Sequence, residues 1–317
     1  MSSNVIEATG LARRFGTVQA LEGVNLHVPQ GSIYGFLGPN GAGKTTTIRI
    51  LLGLLRPQSG EVRLLGHPIP EERLRALRRV GTLVESPSLY PHLSGYENLE
   101  LVRRMIDATP TQVQRALSIV GLDSPRDAHR PVRGYSQGMR QRLGIAIALL
   151  PVPELLILDE PTNGLDPAGI REMRELIRRM PEQDGVTVFL SSHLLGEIEQ
   201  LATHIGIIDR GHVIFEGVAD ELRASYQDAA TLVTDRAREA QQLLLASGWA
   251  SSYNGNGHLT VRVNGQSDVA VLNRRLVESG IPVYGLHIAQ PSLEDIFLAL
   301  TGKPQETAAN MLNERTL

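Results

Sequence analysis

Gly38-Pro-Asn-Gly-Ala-Gly43-Lys44-Thr45 gathers glycines, a lysine and a hydroxyl into one short stretch. The apolar run Ile33-Tyr-Gly-Phe-Leu37 precedes it, and helix-favouring residues follow from Thr46 to Leu55, until Arg56-Pro57 stops them. Strand, glycine loop and helix in that order fit the phosphate-binding P-loop. Glycines let successive backbone N–H groups turn inward around phosphate oxygens. The helix that starts there directs its positive end at the same anion. Lys44 would then reach the β- and γ-phosphates, and the Thr45 hydroxyl would bind Mg²⁺. Gly38, Pro39, Asn40, Gly41, Ala42, Gly43, Lys44, Thr45 and Thr46 are the candidate nucleotide contacts.

Leu155-Leu-Ile-Leu-Asp159-Glu160 is the second chemical element. An apolar strand carries Asp159 to the sheet edge, where its carboxylate can hold the metal through water. Glu160, one residue on, is placed to orient or deprotonate an attacking water. Alone, such an acidic pair usually marks a helix N-terminus. Beside a P-loop it reads as hydrolytic.

These residues need a scaffold of alternating elements. Val24, Leu26 and Val28 alternate with polar neighbours, a half-buried strand pattern. Glu71 to Leu150 reads as mostly helical, with Pro87 and Pro91 marking an irregular connection, and Val186 to Leu190 is a further buried strand. Strands alternating with helices predict a mainly parallel sheet covered on both faces. Composition shifts near residue 220. Beyond it lie Leu232-Val233 (strand), Ala237 to Leu245 (helix) and the alternating Leu259, Val261 and Val263. A helix with Val269, Leu272 and Leu276 on one face comes next, then extended chain from Ile281 to Ile288. Ser292-Leu-Glu-Asp295 would cap a short last helix that Gly302 closes. Trp249 and Tyr253 flank a Gly/Asn/Ser-rich turn that suits a hairpin. The expected domains are 1–220, with a helical subdomain over about 86–150, a small α+β domain at 221–302, and a polar tail at 303–317.

Composition narrows the options. A net charge of −3 argues against a broad nucleic-acid-binding face. Apolar content of 42% supports buried cores, and the absence of cysteine excludes thiol chemistry and Cys-ligated metals. The apolar run Leu143–Leu150 is far short of the ~20 residues that span a bilayer as a helix. The N-terminus lacks the basic start and apolar run of a signal peptide, so the expected location is cytoplasmic.

The two motifs, with Tyr135-Ser-Gln-Gly-Met-Arg-Gln-Arg142 between them, resemble the nucleotide-binding subunit of ABC transporters over roughly residues 4 to 220. The resemblance implies an α/β P-loop ATPase with a helical subdomain, using ATP and Mg²⁺. Ser136-Gln-Gly138 looks like the family signature, with Leu-Ser-Gly-Gly-Gln replaced by Tyr-Ser-Gln-Gly-Met. It implies that Ser136 and Gly138 contact the γ-phosphate. In physical terms Ser136 would cap the following helix and leave its N-terminus facing an anion. Phe15 looks like the aromatic that stacks on adenine, although alone it reads as a core residue. Gly164-Leu165-Asp166 looks like the loop coupling two nucleotide sites, and His193 like the switch histidine at the γ-phosphate. The other histidines read as structural or exposed.

In this family two subunits stack head to tail, each ATP lying between one P-loop and the other chain's signature. One copy of each motif therefore implies a dimer, a homodimer or a pair with a paralogue. A separate membrane permease is also implied, which would hold the chain on the inner face of the cell membrane. One position departs from the pattern: Val80-Gly-Thr-Leu-Val84 ends at Glu85, where the family normally has glutamine. A carboxylate can ligate Mg²⁺ but offers no N–H donor, and it adds negative charge near the γ-phosphate. Glutamate here, the altered signature and the C-terminal run Pro291-Ser-Leu-Glu-Asp-Ile-Phe297 resemble bacitracin-, lantibiotic- and drug-export ATPases. Two other readings are a non-transport ABC ATPase of translation or DNA maintenance, and a module that binds ATP without turnover. Neither a second ATPase half nor a long coiled coil is present to favour the first, and an assay with and without Mg²⁺ separates the second.

Overall fold

Two long strands of alternating burial open the chain, and a two-residue turn at Gly16-Thr17 folds one onto the other. The structure is a computed structural model that describes residues 3–85, 87–226, 228–253, 258–289 and 292–301. It divides into two compact units, Met1–Ala219 and Asp220–Leu317.

In the first unit the strands are β1 (Asn4–Phe15), β2 (Val18–Pro29), β3 (Ile33–Leu37), β4 (Ser59–Leu64), β5 (His67–Ile69), β6 (Val80–Leu83), β7 (Leu155–Asp159), β8 (Thr187–Ser192), β9 (His204–Asp209) and β10 (His212–Val218). They form two sheets. One is antiparallel with order β2-β1-β4-β5; the other has order β10-β9-β3-β8-β7-β6. Within the second, β9, β3, β8, β7 and β6 run parallel and β10 closes the edge antiparallel to β9. The expected mainly parallel sheet is this second one, and the first, antiparallel sheet is an addition to it. Val24, Leu26 and Val28 are buried in a strand as read, but that strand pairs locally with β1 in a sheet of its own. The inner face of this hairpin sheet and the P-loop helix Lys44–Leu51 share one core, with Ile6, Leu11, Leu26, Phe36, Ile48 and Ile157 among its members. Each such side chain contributes about 1.5–3 kcal/mol by leaving water.

β3, β7 and β8 are buried along their whole length, as strands covered on both faces must be. The P-loop helix ends at Leu51 rather than running to Leu55, because the chain reverses at Gly53 with φ 63°. The helical region contains the helices Gly95–Met105, Pro110–Ile119, Pro125–Ala128 and Gln137–Leu149. Ser94 and Glu97 form a capping box on the first, Ser94 N–H donating to Glu97 at 2.7 Å and Glu97 N–H to Ser94 Oγ at 3.2 Å. The buried Asn98 accepts from Tyr90 N–H at 2.8 Å, which ties the irregular segment before the helix to the helix itself. Two arginines one turn on, Arg103 and then Arg104, donate to Glu100 and hold its carboxyl down to about 2.

The second unit has β11 (Asp228–Val233), a helix Ala237–Ala246, β12 (Ser251–Tyr253), β13 (His258–Val263), a helix Gln266–Glu278 and β14 (Gly285–Ala289). The sheet order is β12-β13-β11-β14 with every neighbour antiparallel. This is the split βαβ, or ferredoxin-like, arrangement. Ala230, Leu232, Leu259, Val261 and Val263 form its core with Leu244, Leu272 and Leu276 of the two helices. Ser292 and Asp295 cap a last helix, Leu293–Thr301. Gly302, Pro291, the Gly/Asn/Ser-rich turn at 254–257 and the tail at 303–317 lie outside the described residues. Among the described residues no helix is long and apolar enough to cross a membrane.

Candidate active site

The C-terminal ends of β3, β7 and β8 converge, since β8 lies between the other two with Leu37 opposite Ser192 and Asp159 opposite Ser191. Open α/β sheets place ligands at this edge. The loop leaving β3 is shaped by two glycines that no other residue could replace. A Cβ at Gly38 would lie 2.2 Å from Ile208 O, and one at Gly43 would lie 2.8 Å from Ala20 O at a φ of 115°. Gly43 caps the Lys44–Leu51 helix without any side-chain hydrogen bond, so the first backbone N–H groups remain available to an anion.

Lys44 is 6% exposed, and its ammonium donates to Gly38 O at 2.7 Å and Pro39 O at 3.2 Å. The same nitrogen stands 3.3 Å from Glu160 Oε1. Thr45 Oγ1 donates to Asp159 Oδ2 at 3.0 Å. Asp159 is also 6% exposed, and its other oxygen accepts from Ser191 Oγ at 2.5 Å. Glu160 has a left-handed φ of 50°, a conformation that costs a non-glycine residue about 1–3 kcal/mol. Its N–H donates to Ser191 Oγ at 3.0 Å, and its Oε2 is 2.7 Å from His193 Nδ1. One connected network thus joins Lys44, Thr45, Asp159, Glu160, Ser191 and His193. Five of these were singled out from sequence. Ser191 was not, and the signal that could have found it is its place opposite Asp159 on the neighbouring parallel strand.

The remaining candidates lie elsewhere. Phe15 is an exposed ring at the end of β1, with the Arg13 guanidinium 4.9 Å above its centroid, so it is a surface aromatic rather than a core residue. Ser136 caps the Gln137–Leu149 helix by accepting from Met139 N–H at 3.2 Å, and it faces solvent. A Cβ at Gly138 would meet nothing closer than 4.0 Å. The Gly164 loop abuts this surface, a Cβ there standing 2.7 Å from Gln137 Nε2. Asp166 accepts from Gly169 N–H at 2.9 Å and caps the Pro167–Arg179 helix. Glu85 is turned to Arg49 by an ion pair, in a left-handed conformation of φ 66°. Among the described residues no hydrogen bond or ion pair links Glu85, Ser136, Gly138 or Asp166 to the Lys44 network.

The ABC transporter family model matches residues 21–163, and the model for the ATP-binding protein DrrA1-3-like C-terminal domain matches residues 217–301. The bacitracin transport ATP-binding protein BcrA of Bacillus licheniformis is 41% identical over 302 residues, covering 95% of this chain and 98% of its own length. The daunorubicin resistance ATP-binding protein DrrA3 of Streptomyces coeruleorubidus is 36% identical over 310 residues, covering 95% and 97%. Among solved structures, a dimeric post-hydrolysis state of the ATP-binding cassette MJ0796, bound to ADP and Pi, is similar with a TM-score of 0.59 and 25% identity. That match covers 68% of this chain and 98% of the cassette.

Proposed function

Given that the chain belongs to the ATP-binding subunits of ABC transporters, we propose that it hydrolyses ATP to drive a separate membrane permease that exports an antibiotic or drug. The observation that carries the hydrolytic part is the partly buried network at the ends of β3, β7 and β8. It pairs a hydroxyl with one carboxylate and a cation and an imidazole with the other, the two groups joined through Ser191. The donor set suits Mg²⁺, which takes one or two protein oxygens and completes its shell with water and substrate phosphates. Thr45 would supply such an oxygen and Asp159 would hold the metal through water, and no cluster of three or more His, Asp or Glu side chains among the described residues forms a cage for a different metal. Bound there, Mg²⁺ would neutralise phosphate charge.

Each side chain then has a task. The P-loop backbone N–H groups from Asn40 to Thr46 cradle the phosphates, and Lys44 neutralises them. Glu160 accepts the proton of the attacking water, and His193, already bonded to Glu160, faces the γ-phosphate. Phe15 offers its exposed face to the base. Ser136 and Gly138, from a second copy of the chain, close over the γ-phosphate, and Asp166 couples the two sites. Phosphoryl transfer needs this positioning and charge stabilisation more than covalent chemistry. Glu85 and the segment to Leu99, within which Asn98 holds Tyr90, pass the motion to the permease. The permease in turn keeps the chain on the inner face of the cell membrane. The export of an antibiotic is supported by the bacitracin and daunorubicin relatives, which match this chain through both of its units.

The test is phosphate release by the purified chain. Glu160→Gln should bind ATP normally and lose turnover by about 100-fold or more; near-normal release would sink the assignment of the base. Cells given the chain with its permease should gain resistance to a peptide antibiotic or an anthracycline. Unchanged sensitivity to both classes would overturn the export reading.

A further inference from the structure

Asp159 and Glu160 have different jobs in the proposed hydrolysis, yet one buried hydroxyl touches both. Ser191 is fully buried on β8, directly opposite Asp159 in the parallel register. A serine hydroxyl has one hydrogen to give and two lone pairs to accept with. Here the hydrogen goes to Asp159 Oδ1 at 2.5 Å, and a lone pair takes the Glu160 N–H at 3.0 Å. The first bond fixes which Asp159 oxygen is spent inside the protein, leaving Oδ2 to face Thr45 Oγ1 at 3.0 Å. The second satisfies a backbone N–H that would otherwise be orphaned where the chain leaves β7. It does so at the residue whose φ of 50° aims the Glu160 carboxylate between Lys44 and His193.

We propose that Ser191 is a positioning residue for ATP hydrolysis, setting the metal-facing oxygen of Asp159 and the backbone of Glu160 through a single hydroxyl. The inference rests on the ATPase reading above. The neighbouring Ser192 provides the contrast. It is equally buried, but its hydroxyl accepts from Leu194 N–H at 3.0 Å and so serves only the following turn. Partners that orient metal-associated ligands typically change metal affinity or activity by about 10–100-fold when removed.

The experiment uses the full-length chain as wild type, Ser191→Ala, Ser191→Thr and Ser192→Ala. Phosphate release is titrated with Mg²⁺ at saturating ATP, and ATP binding is measured in EDTA. Ser191→Ala should need roughly 10-fold more Mg²⁺ for half-activation and lose roughly 10–100-fold in kcat, while still binding ATP in EDTA. Ser191→Thr, which restores the hydroxyl, should recover most of both, and Ser192→Ala should keep the wild-type Mg²⁺ dependence. If Ser191→Ala loses ATP binding in EDTA as well, Ser191→Cys decides instead. Its weak donor should give a smaller defect in the same Mg²⁺ readout. Wild-type Mg²⁺ dependence and kcat in the Ala or deciding Cys variant, even with a lowered melting temperature, would make Ser191 merely structural and overturn the inference. A wild-type chain that releases no phosphate with Mg²⁺ would instead overturn the ATPase reading, and this inference with it.

Discussion

The Lys44 network and the Ser136–Gly138 surface both stand at a helix N-terminus, and they end in opposite conditions. At the first, the helix has no side-chain cap, Lys44 and Asp159 are buried with Thr45, Glu160 and His193 half-buried beside them, and each is bonded to another member of the set. At the second, Ser136 caps its helix, the neighbouring Gln137 faces solvent, and the glycine between them and Met139 leaves open space. On the proposed function, the chain would complete one half of a phosphate site internally and display the other half on its surface. A buried network is fixed by its own bonds; an exposed cap acquires a ligand only when something is brought to it.

That division can be broken directly. Lys44→Ala and Gly138→Asp chains should each lose ATP hydrolysis by roughly 100-fold or more, as removal of transition-state charge stabilisation does. Mixed in equal amounts they should regain phosphate release, because a mixed pair assembles one intact site from two damaged chains. No recovery on mixing would place both halves within one chain. A smaller effect is expected at Glu85, whose carboxylate belongs to neither half and is paired with Arg49 on the surface. Exposed pairs contribute less than about 1 kcal/mol, so Glu85→Gln should change turnover by less than about fivefold. Complete loss would give Glu85 a role in the network that glutamine cannot fill. The smallest effect concerns Glu100, behind the segment that leads from Glu85. Its folded value of about 2 lies below the ordinary 4.5, the arginine hydrogen bonds being the main cause. Its contribution to stability is therefore complete above about pH 4.5 and fades as pH falls toward 2. The melting-temperature gap between wild type and Glu100→Gln should close across that window; a gap independent of pH would show that the ion pairs add nothing.

The parts that sequence alone revealed are those whose meaning is local. The P-loop is a contiguous strand, loop and helix, and Asp159-Glu160 ends a strand of unbroken apolar residues, so spacing carries the geometry. The alternation of Val24, Leu26 and Val28 announces a strand but not its partner. Its pairing with β1 follows from the short turn at Gly16-Thr17, a hairpin signal that the sequence expectations left out. Ser191 was illegible for a stronger reason. Nothing near it in sequence concerns Asp159; the two meet only because β8 inserts between β3 and β7 in one register. Glu85 could be seen as a departure, but its attachment to Arg49 required the fold.

The ammonium of Lys44 already has carbonyl and carboxylate partners within its own loop and from Glu160. Filling this loop with a polyphosphate is therefore a swap of partners. The lysine gives up contacts of its own to gain phosphate oxygens, so the binding energy is a difference between two well-satisfied arrangements. Were the lysine to turn to the phosphates, the Glu160 carboxylate would keep His193 and have an oxygen free for water. In the proposed hydrolysis, substrate arrival would by this exchange also release Glu160 to act as the base.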